Sequence, residues 1–149
     1  MVVTHILCSL LSYAAFLIAF VSGILFLIQE RQLKQKQMGL LFRQLPSLGT
    51  LDRANFLALG AGFALLSLGL SFGLLGTRVW LGRWWTGDPK EYLTVFLWVS
   101  YLLLWLVRLR ATLRGRRVAL LSVLGFTLVL FTVVTATWLL PSWHAHVHL

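Results

Sequence analysis

The segment Ile6–Ile28, ILCSLLSYAAFLIAFVSGILFLI, contains 23 consecutive residues without a charge. At a rise of about 1.5 Å per residue, a helix of this length crosses the roughly 30 Å hydrocarbon layer of a bilayer. A soluble core does not require an uninterrupted apolar run of this length. The segment therefore predicts a transmembrane helix.

Three further apolar blocks follow, and the whole chain shares their character. Of its 149 residues, 59% are hydrophobic and only 11% are charged, whereas roughly a quarter are charged in a typical soluble domain. We predict an all-α integral membrane bundle of four transmembrane helices, forming a single membrane domain over residues 1–149. The predicted helices span about 6–28, 54–76, 92–107 and 118–140. We expect Asp52 to cap the second helix, and Lys90 and Arg108 to reach the membrane interfaces and so extend the short third helix.

The basic residues predict the orientation of these helices. The loops between helices one and two and between helices three and four hold five Lys or Arg each, and the middle loop holds three. By the positive-inside rule, the two richer loops face the cytoplasm, so both termini and residues 77–91 face outward. The net charge of +9 is thus a topology signal. Because no basic groove or base-stacking motif accompanies it, we expect no nucleic-acid partner.

The second predicted helix contains two pairs of small residues at helical spacing. Gly69 and Gly73 form a Gly-x-x-x-Gly step, and Gly60 and Ala64 form a related step. Small residues let helix backbones approach closely in lipid, although glycine is also common in transmembrane helices generally. Besides membrane lipid, we therefore expect a partner, either a second copy of the chain or another membrane subunit that supplies further helices.

The middle loop, residues 80–91, reads WLGRWWTGDPKE and contains three tryptophans in six residues. Asp88 is predicted to cap a helix that begins with Pro89, Lys90 and Glu91. Tryptophans at this depth form interfacial belts in many membrane proteins. Their clustering with Arg83 is equally consistent with an aromatic shelf for a planar, amphipathic ligand that bears carboxylates. The residues alone leave both interpretations open.

Four histidines are predicted on the same outer side of the membrane. His5 precedes the first helix, and His144, His146 and His148 follow the fourth. Imidazole is a frequent iron ligand, although histidine is also common at helix ends. The closely spaced tail histidines are also compatible with a loose site for Zn²⁺, Cu²⁺ or Ni²⁺.

Conventional catalytic patterns are absent from the sequence. It contains no Gly-x-Ser-x-Gly nucleophile elbow, His-Glu-x-x-His zinc helix or Walker A loop. Its single cysteine, Cys8, forms no internal disulfide or Cys-x-x-Cys pair and is interpreted as an ordinary apolar helix residue. We therefore assign no catalytic residue.

Residues 82–91 resemble the tryptophan-rich WWD signature of the cytochrome c assembly proteins of the CcsA, CcmC and HemX type, whose pattern is close to WGxxWxWDPKE. Gly87 stands where that pattern has its last tryptophan, and Leu81 stands at its first position, next to Trp80. The resemblance continues in order along the chain and matches what looks like the C-terminal half of longer members. The other similar segments are residues 5–13, 29–34, 45–52, 115–119 and 139–144.

This resemblance implies heme as the ligand, bound at the outer face between an aromatic platform and two axial histidines. It assigns His5 and His144 to the iron, with His146 as a substitute for His144. Arg83 and Lys90 are the nearest cations for the porphyrin carboxylates. The implied platform consists of Trp80, Trp84, Trp85, Asp88, Pro89, Lys90 and Glu91, together with Arg83.

The implied function is c-type cytochrome biogenesis in the bacterial inner, cytoplasmic membrane. Heme would be presented for attachment to the Cys-x-x-Cys-His motif of an apocytochrome c, within a system of the cytochrome c synthase type. The sequence contains no such motif, so we expect a heme handler and not a cytochrome. Two alternatives remain: a non-catalytic, HemX-like assembly or regulatory subunit without heme transfer, and a divalent-metal binder that uses the histidine tail.

Overall fold

The computed structural model describes residues 2–36, 39–110 and 115–135. These residues form helices and connecting turns, with no strand among them. The four long helices are each apolar and long enough to cross a membrane, which confirms the predicted all-α fold with four membrane-spanning helices. In chain order the helices are α1 (Val2–Lys34), α2 (Leu40–Gln44), α3 (Leu48–Leu81), α4 (Pro89–Leu109) and α5 (Arg116–Val134).

The long helices form an up-down-up-down bundle in the cyclic order α1, α3, α4, α5. Across one diagonal, the ring of Phe16 in α1 stacks on that of Tyr101 in α4, with centroids 3.6 Å apart. Across the other diagonal, the amide of Asn55 in α3 donates to the hydroxyl of Ser122 in α5 over 3.0 Å. The end of the bundle that holds residues 82–88 is called the tryptophan end below, and the opposite end is called the basic end.

Two of the long helices extend well beyond the predicted spans. At about 1.5 Å per residue, α1 and α3 are each roughly 50 Å long, which exceeds the hydrocarbon thickness. The predicted capping of the second span by Asp52 is wrong, because α3 begins earlier, at Leu48. Ser47 is the cap, and its hydroxyl accepts a hydrogen bond from the Thr50 amide over 3.2 Å. The last residues of the fourth predicted span, 136–140, lie outside the described residues.

Asp52 instead forms an ion pair within the bundle. Its Oδ2 lies 2.7 Å from Nη2 of Arg108 near the end of α4. The Arg108 side chain is only 5% exposed, so the expectation that it reaches outward to the membrane interface is wrong. Because a buried guanidinium is stabilised only when a charge partner and hydrogen bonds accompany it, this pair holds α3 and α4 together at the basic end.

The glycine faces of α3 are used inside the chain. A side-chain carbon at Gly69 would approach Ser9 Oγ to 3.1 Å, and one at Gly73 would approach the His5 ring to 3.1 Å. On another face, Gly60 lies against the Trp105 ring of α4. The small residues that suggested contact with a further subunit therefore lie against α1 and α4 of the same chain. Ala64 is the exception, because it stays exposed.

We predict that Gly62→Ala destabilises the bundle by about 1–3 kcal/mol, the usual range for overpacking a core. The added carbon would lie 2.5 Å from the Phe16 ring, which is fully buried and held by Tyr101. The measurement is the thermal midpoint of unfolding of the detergent-purified protein.

Gly76→Ala on the same helix is the matched control, because no atom lies within 4 Å of the added carbon there. It should leave the midpoint unchanged or raise it slightly, since alanine favours helix over glycine. Equal midpoints for the two variants would contradict the packing described for Phe16.

Candidate functional site at the tryptophan end

The last turn of α3 fixes the start of the tryptophan segment, defined here as residues 80–91. Gly82 terminates the helix with a φ of 68°, a left-handed conformation that glycine adopts without strain. Nη1 of Arg78 donates to the Gly82 carbonyl oxygen over 2.7 Å. The same guanidinium lies 5.5 Å from the centroid of the Trp84 ring. Arg78 therefore connects the helix end to a tryptophan of the segment through a hydrogen bond and a cation–π contact.

The carboxylate of Glu91 organises the middle of the segment. It accepts hydrogen bonds from the amides of Thr86 and Gly87, over 3.0 and 3.1 Å, and from the Thr86 hydroxyl over 2.6 Å. Asp88 caps α4 as predicted, since its Oδ1 accepts from the Lys90 amide over 2.9 Å. Both carboxylates are thus engaged in holding the backbone.

Two of the three tryptophan rings are largely exposed. Trp80 is 77% and Trp84 is 55% exposed, whereas Trp85 is 37% exposed and meets Tyr92 edge to face at 5.2 Å. Trp80 lies in the last turn of α3, and not in the loop where the sequence suggested it. The exposed pair gives this end an aromatic surface that no described side chain covers fully.

The remaining predicted platform residues lie beside these rings. Arg83 and Pro89 are exposed, and Lys90 is half-buried at the start of α4. Neither Arg83 nor Lys90 makes an ion pair with another described residue. Their positive charges are therefore available to an anionic group at this end of the bundle.

Gly87 stands where the family pattern has a tryptophan, and its backbone conformation is one that favours glycine. Its φ is 79°, which residues with a side chain rarely adopt, and a carbon added there would meet no atom within 4 Å. A tryptophan at this position would thus be strained by the backbone and not by crowding. The turn that Glu91 holds in this chain is one that requires glycine.

His5 lies inside α1, and not ahead of the first helix as predicted, and it packs against α3 at the tryptophan end. Its Nδ1 donates a hydrogen bond to the Gly69 carbonyl oxygen over 2.6 Å, and its ring lies against Gly73. Eight residues separate Gly73 from Leu81, so the ring is recessed by roughly 12 Å from the end of α3. Among the described residues, no hydrogen bond or ring contact joins His5 to the tryptophan segment.

The other predicted iron ligands, His144 and His146, lie outside the described residues, as does His148. Over residues 2–36, 39–110 and 115–135, no three His, Cys, Asp or Glu side chains cluster in a way that could hold a metal ion. The divalent-metal alternative uses only the tail histidines, which lie outside these residues.

Two groups at this end were missed by the sequence analysis. Arg78 was counted only as a topology signal, yet its distance of four residues from Gly82 puts its side chain next to the helix terminus. The Gly69 carbonyl was missed because the Gly-x-x-x-Gly step was interpreted as a subunit contact. A backbone acceptor of this kind has no sequence signal until the helix that faces it is known.

The described site belongs to a multi-helix membrane protein that presents aromatic, basic and imidazole groups at one end. The family model for the cytochrome C assembly protein matches residues 1–144, nearly the whole chain. The chain therefore belongs to the cytochrome c assembly protein family.

Several relatives called "Cytochrome c biogenesis protein CcsA" are similar to this chain. The protein of Prochlorococcus marinus subsp. pastoris is 30% identical over 163 residues, covering 97% of this chain and 52% of the relative. The Guillardia theta protein is 27% identical, covering 95% of this chain and 52% of its own length. The chain thus spans about half the length of these relatives. No solved structure matches it.

We predict that Glu91→Ala loosens the tryptophan segment without unfolding the bundle. The change removes the acceptor of two backbone amides and one hydroxyl, while Asp88 still caps α4. Amide hydrogen exchange at Thr86 and Gly87 should accelerate, because both amides lose Glu91, their hydrogen-bond acceptor in the described structure.

Glu30→Ala is the matched control, since it removes a carboxylate whose ion pair with Lys34 lies on α1 toward the basic end. Exchange at Thr86 and Gly87 should not change in this variant. Unaltered exchange in Glu91→Ala would show that the carboxylate does not hold the turn.

Proposed function

We propose that this chain handles heme during the biogenesis of c-type cytochromes, binding it at the tryptophan end and presenting it for attachment to an apocytochrome c. The observation that supports this most directly is the position of His5. The ring lies at the same end as the exposed tryptophans, and only Nδ1 has a described hydrogen-bond partner. Nε2 is then available to iron, for which imidazole is a common axial ligand.

The residues of this end suit the chemistry of a porphyrin. A heme is flat and apolar except for its carboxylates, so the exposed rings of Trp80 and Trp84 match its faces. Arg83 and Lys90 offer the cations that its carboxylates need, as expected from the sequence, and Arg78 adds a third. When bound, the heme is the cargo to be attached, and the chain's own groups hold and orient it.

The proposed second axial ligand is His144, with His146 as its substitute. Both follow α5 in sequence, and α5 runs from the basic end toward the tryptophan end. Two neutral imidazoles on one iron give a six-coordinate heme. The tail is thereby assigned to the heme in preference to a separate divalent metal.

We further propose that the tryptophan end faces outward from a bacterial cytoplasmic membrane. The basic end carries Arg53, Arg110, Arg116 and Arg117, which is the distribution that the positive-inside rule associates with the cytoplasm. In this proposal, a second copy of the chain or another membrane subunit supplies further helices beside the bundle. The whole chain acts as one membrane domain in this proposal.

We predict that the detergent-purified protein, given heme, has the absorption spectrum of a six-coordinate, low-spin iron. His5→Ala and His144→Ala should each convert it to a five-coordinate form or empty the site, because each removes one axial ligand. His148→Ala is the control and should leave the spectrum unchanged.

A double variant, His5→Ala with His144→Ala, that kept the original spectrum would refute the ligand pair. Wild-type protein that takes up no heme would instead favour the HemX-like alternative, a subunit with the fold and without heme transfer. Loss of heme on replacement of His146 but not of His144 would move the second ligand by two residues.

We predict that, in a Cys8→Ser background in cells, a cysteine at Thr86 reacts with a membrane-impermeant thiol reagent and one at Gln35 does not. Both positions are exposed and lie at opposite ends of the bundle, so the comparison reports the side of the membrane. The reverse labelling pattern would put the tryptophan end in the cytoplasm and contradict outward presentation of heme.

A further inference from the structure

The contact between His5 and α3 is short and spatially restricted. Nδ1 lies 2.6 Å from the carbonyl oxygen of Gly69, a residue that is itself buried against Cys8 and Ser9 of α1. One turn further along α3, Gly73 leaves room for the ring, since an added carbon would lie 3.1 Å from both Cε1 and Nδ1. The imidazole is therefore held at one edge by a hydrogen-bond acceptor, and it fits against α3 because Gly73 has no side chain.

This acceptor determines which ring nitrogen carries the proton. A carbonyl oxygen accepts hydrogen bonds and never donates them, so the hydrogen of this bond must be on Nδ1. A helical carbonyl has a second lone pair besides the one used within its helix, so α3 is not disrupted. In the neutral imidazole, Nε2 then has the free lone pair.

We propose that the backbone carbonyl of Gly69 positions His5, fixing its Nδ1–H tautomer and ring orientation so that Nε2 is presented to iron, and that Gly73 is glycine in order to admit the ring. The inference rests on the proposed function, in which His5 binds the heme iron. Histidine ligands commonly donate their second N–H to a carbonyl or carboxylate, and losing that partner weakens metal affinity by about 10–100-fold.

The first test needs no heme. In protein with ¹⁵N-labelled histidine rings, the signals of His5 are identified by their loss in His5→Ala. The expected result is a protonated Nδ1 and a lone-pair nitrogen at Nε2 at a pH where the ring is neutral. Protonation at Nε2 would overturn the inference, whether or not heme binds.

The second test replaces the side chain by free ligands. In His5→Gly with heme, imidazole can donate to the Gly69 carbonyl while it coordinates iron, whereas 1-methylimidazole can coordinate iron but has no N–H to donate. Imidazole should restore the six-coordinate spectrum at a concentration roughly ten-fold lower. The control is heme in the same detergent without protein, for which the ratio of the two ligand concentrations is measured in the same way. An equal ratio with and without protein would overturn the inference.

The third test changes the space beside the ring and leaves all ligands in place. Gly73→Ala should shift the His5 ¹⁵N signals and weaken heme binding by roughly ten-fold, because the ring must move away from the Gly69 carbonyl. Gly76→Ala, one turn nearer the helix end and with no atom within 4 Å of the added carbon, should change neither. Identical behaviour of the two variants would count against a role for Gly73.

These tests separate the inference from the function on which it rests. If heme binds through His5 but imidazole and 1-methylimidazole restore the spectrum equally, the positioning role of Gly69 is wrong and the proposed function stands. If His5→Ala leaves a heme spectrum unaltered, the proposed function fails in its ligand assignment. In that case an Nδ1-protonated His5 in the heme-free protein still agrees with the hydrogen bond to Gly69, and its role toward iron is refuted.

Discussion

The bundle is organised around the close antiparallel contact between α1 and α3. Lipid supplies no hydrophobic driving force between helices, so their association relies on tight packing and on hydrogen bonds across the interface. Gly62, Gly69 and Gly73 remove side chains from one face of α3, and Phe16, Ser9 and His5 of α1 occupy the space. A larger residue at any of these glycines would crowd the side chain of α1 that faces it.

Polar groups inside the bundle fix the positions of the other two long helices. Asn55 donates to the Ala19 carbonyl oxygen and to the Ser122 hydroxyl, which links α3 to α1 and α5. The indole nitrogen of Trp98 donates to the Ser67 hydroxyl over 2.9 Å and links α4 to α3. Because an unpaired polar group in hydrocarbon is costly, each of these bonds favours one register of its helix pair.

This architecture also explains how one end of a small bundle is free to present side chains. The packing and the ion pair of Arg108 with Asp52 stabilise the middle and the basic end. At the tryptophan end, Glu91 and Arg78 hold a short segment by hydrogen bonds to its backbone, so its aromatic rings need not contribute to the core. In this member of the family, the tryptophan rings thus remain exposed on a rigid support.

Local composition, spacing and motif were sufficient to predict the four spans, the cap of α4 by Asp88 and the family. The sequence does not show which face of α3 meets which neighbour. A Gly-x-x-x-Gly step has the same residue pattern whether it packs against a helix of its own chain or of another chain. The packing of the helices was needed to show that His5 lies against Gly69 and Gly73, and that Asp52 pairs with Arg108 instead of capping a helix. Such contacts join residues more than fifty positions apart, whose proximity is set by how the helices pack and not by any local pattern.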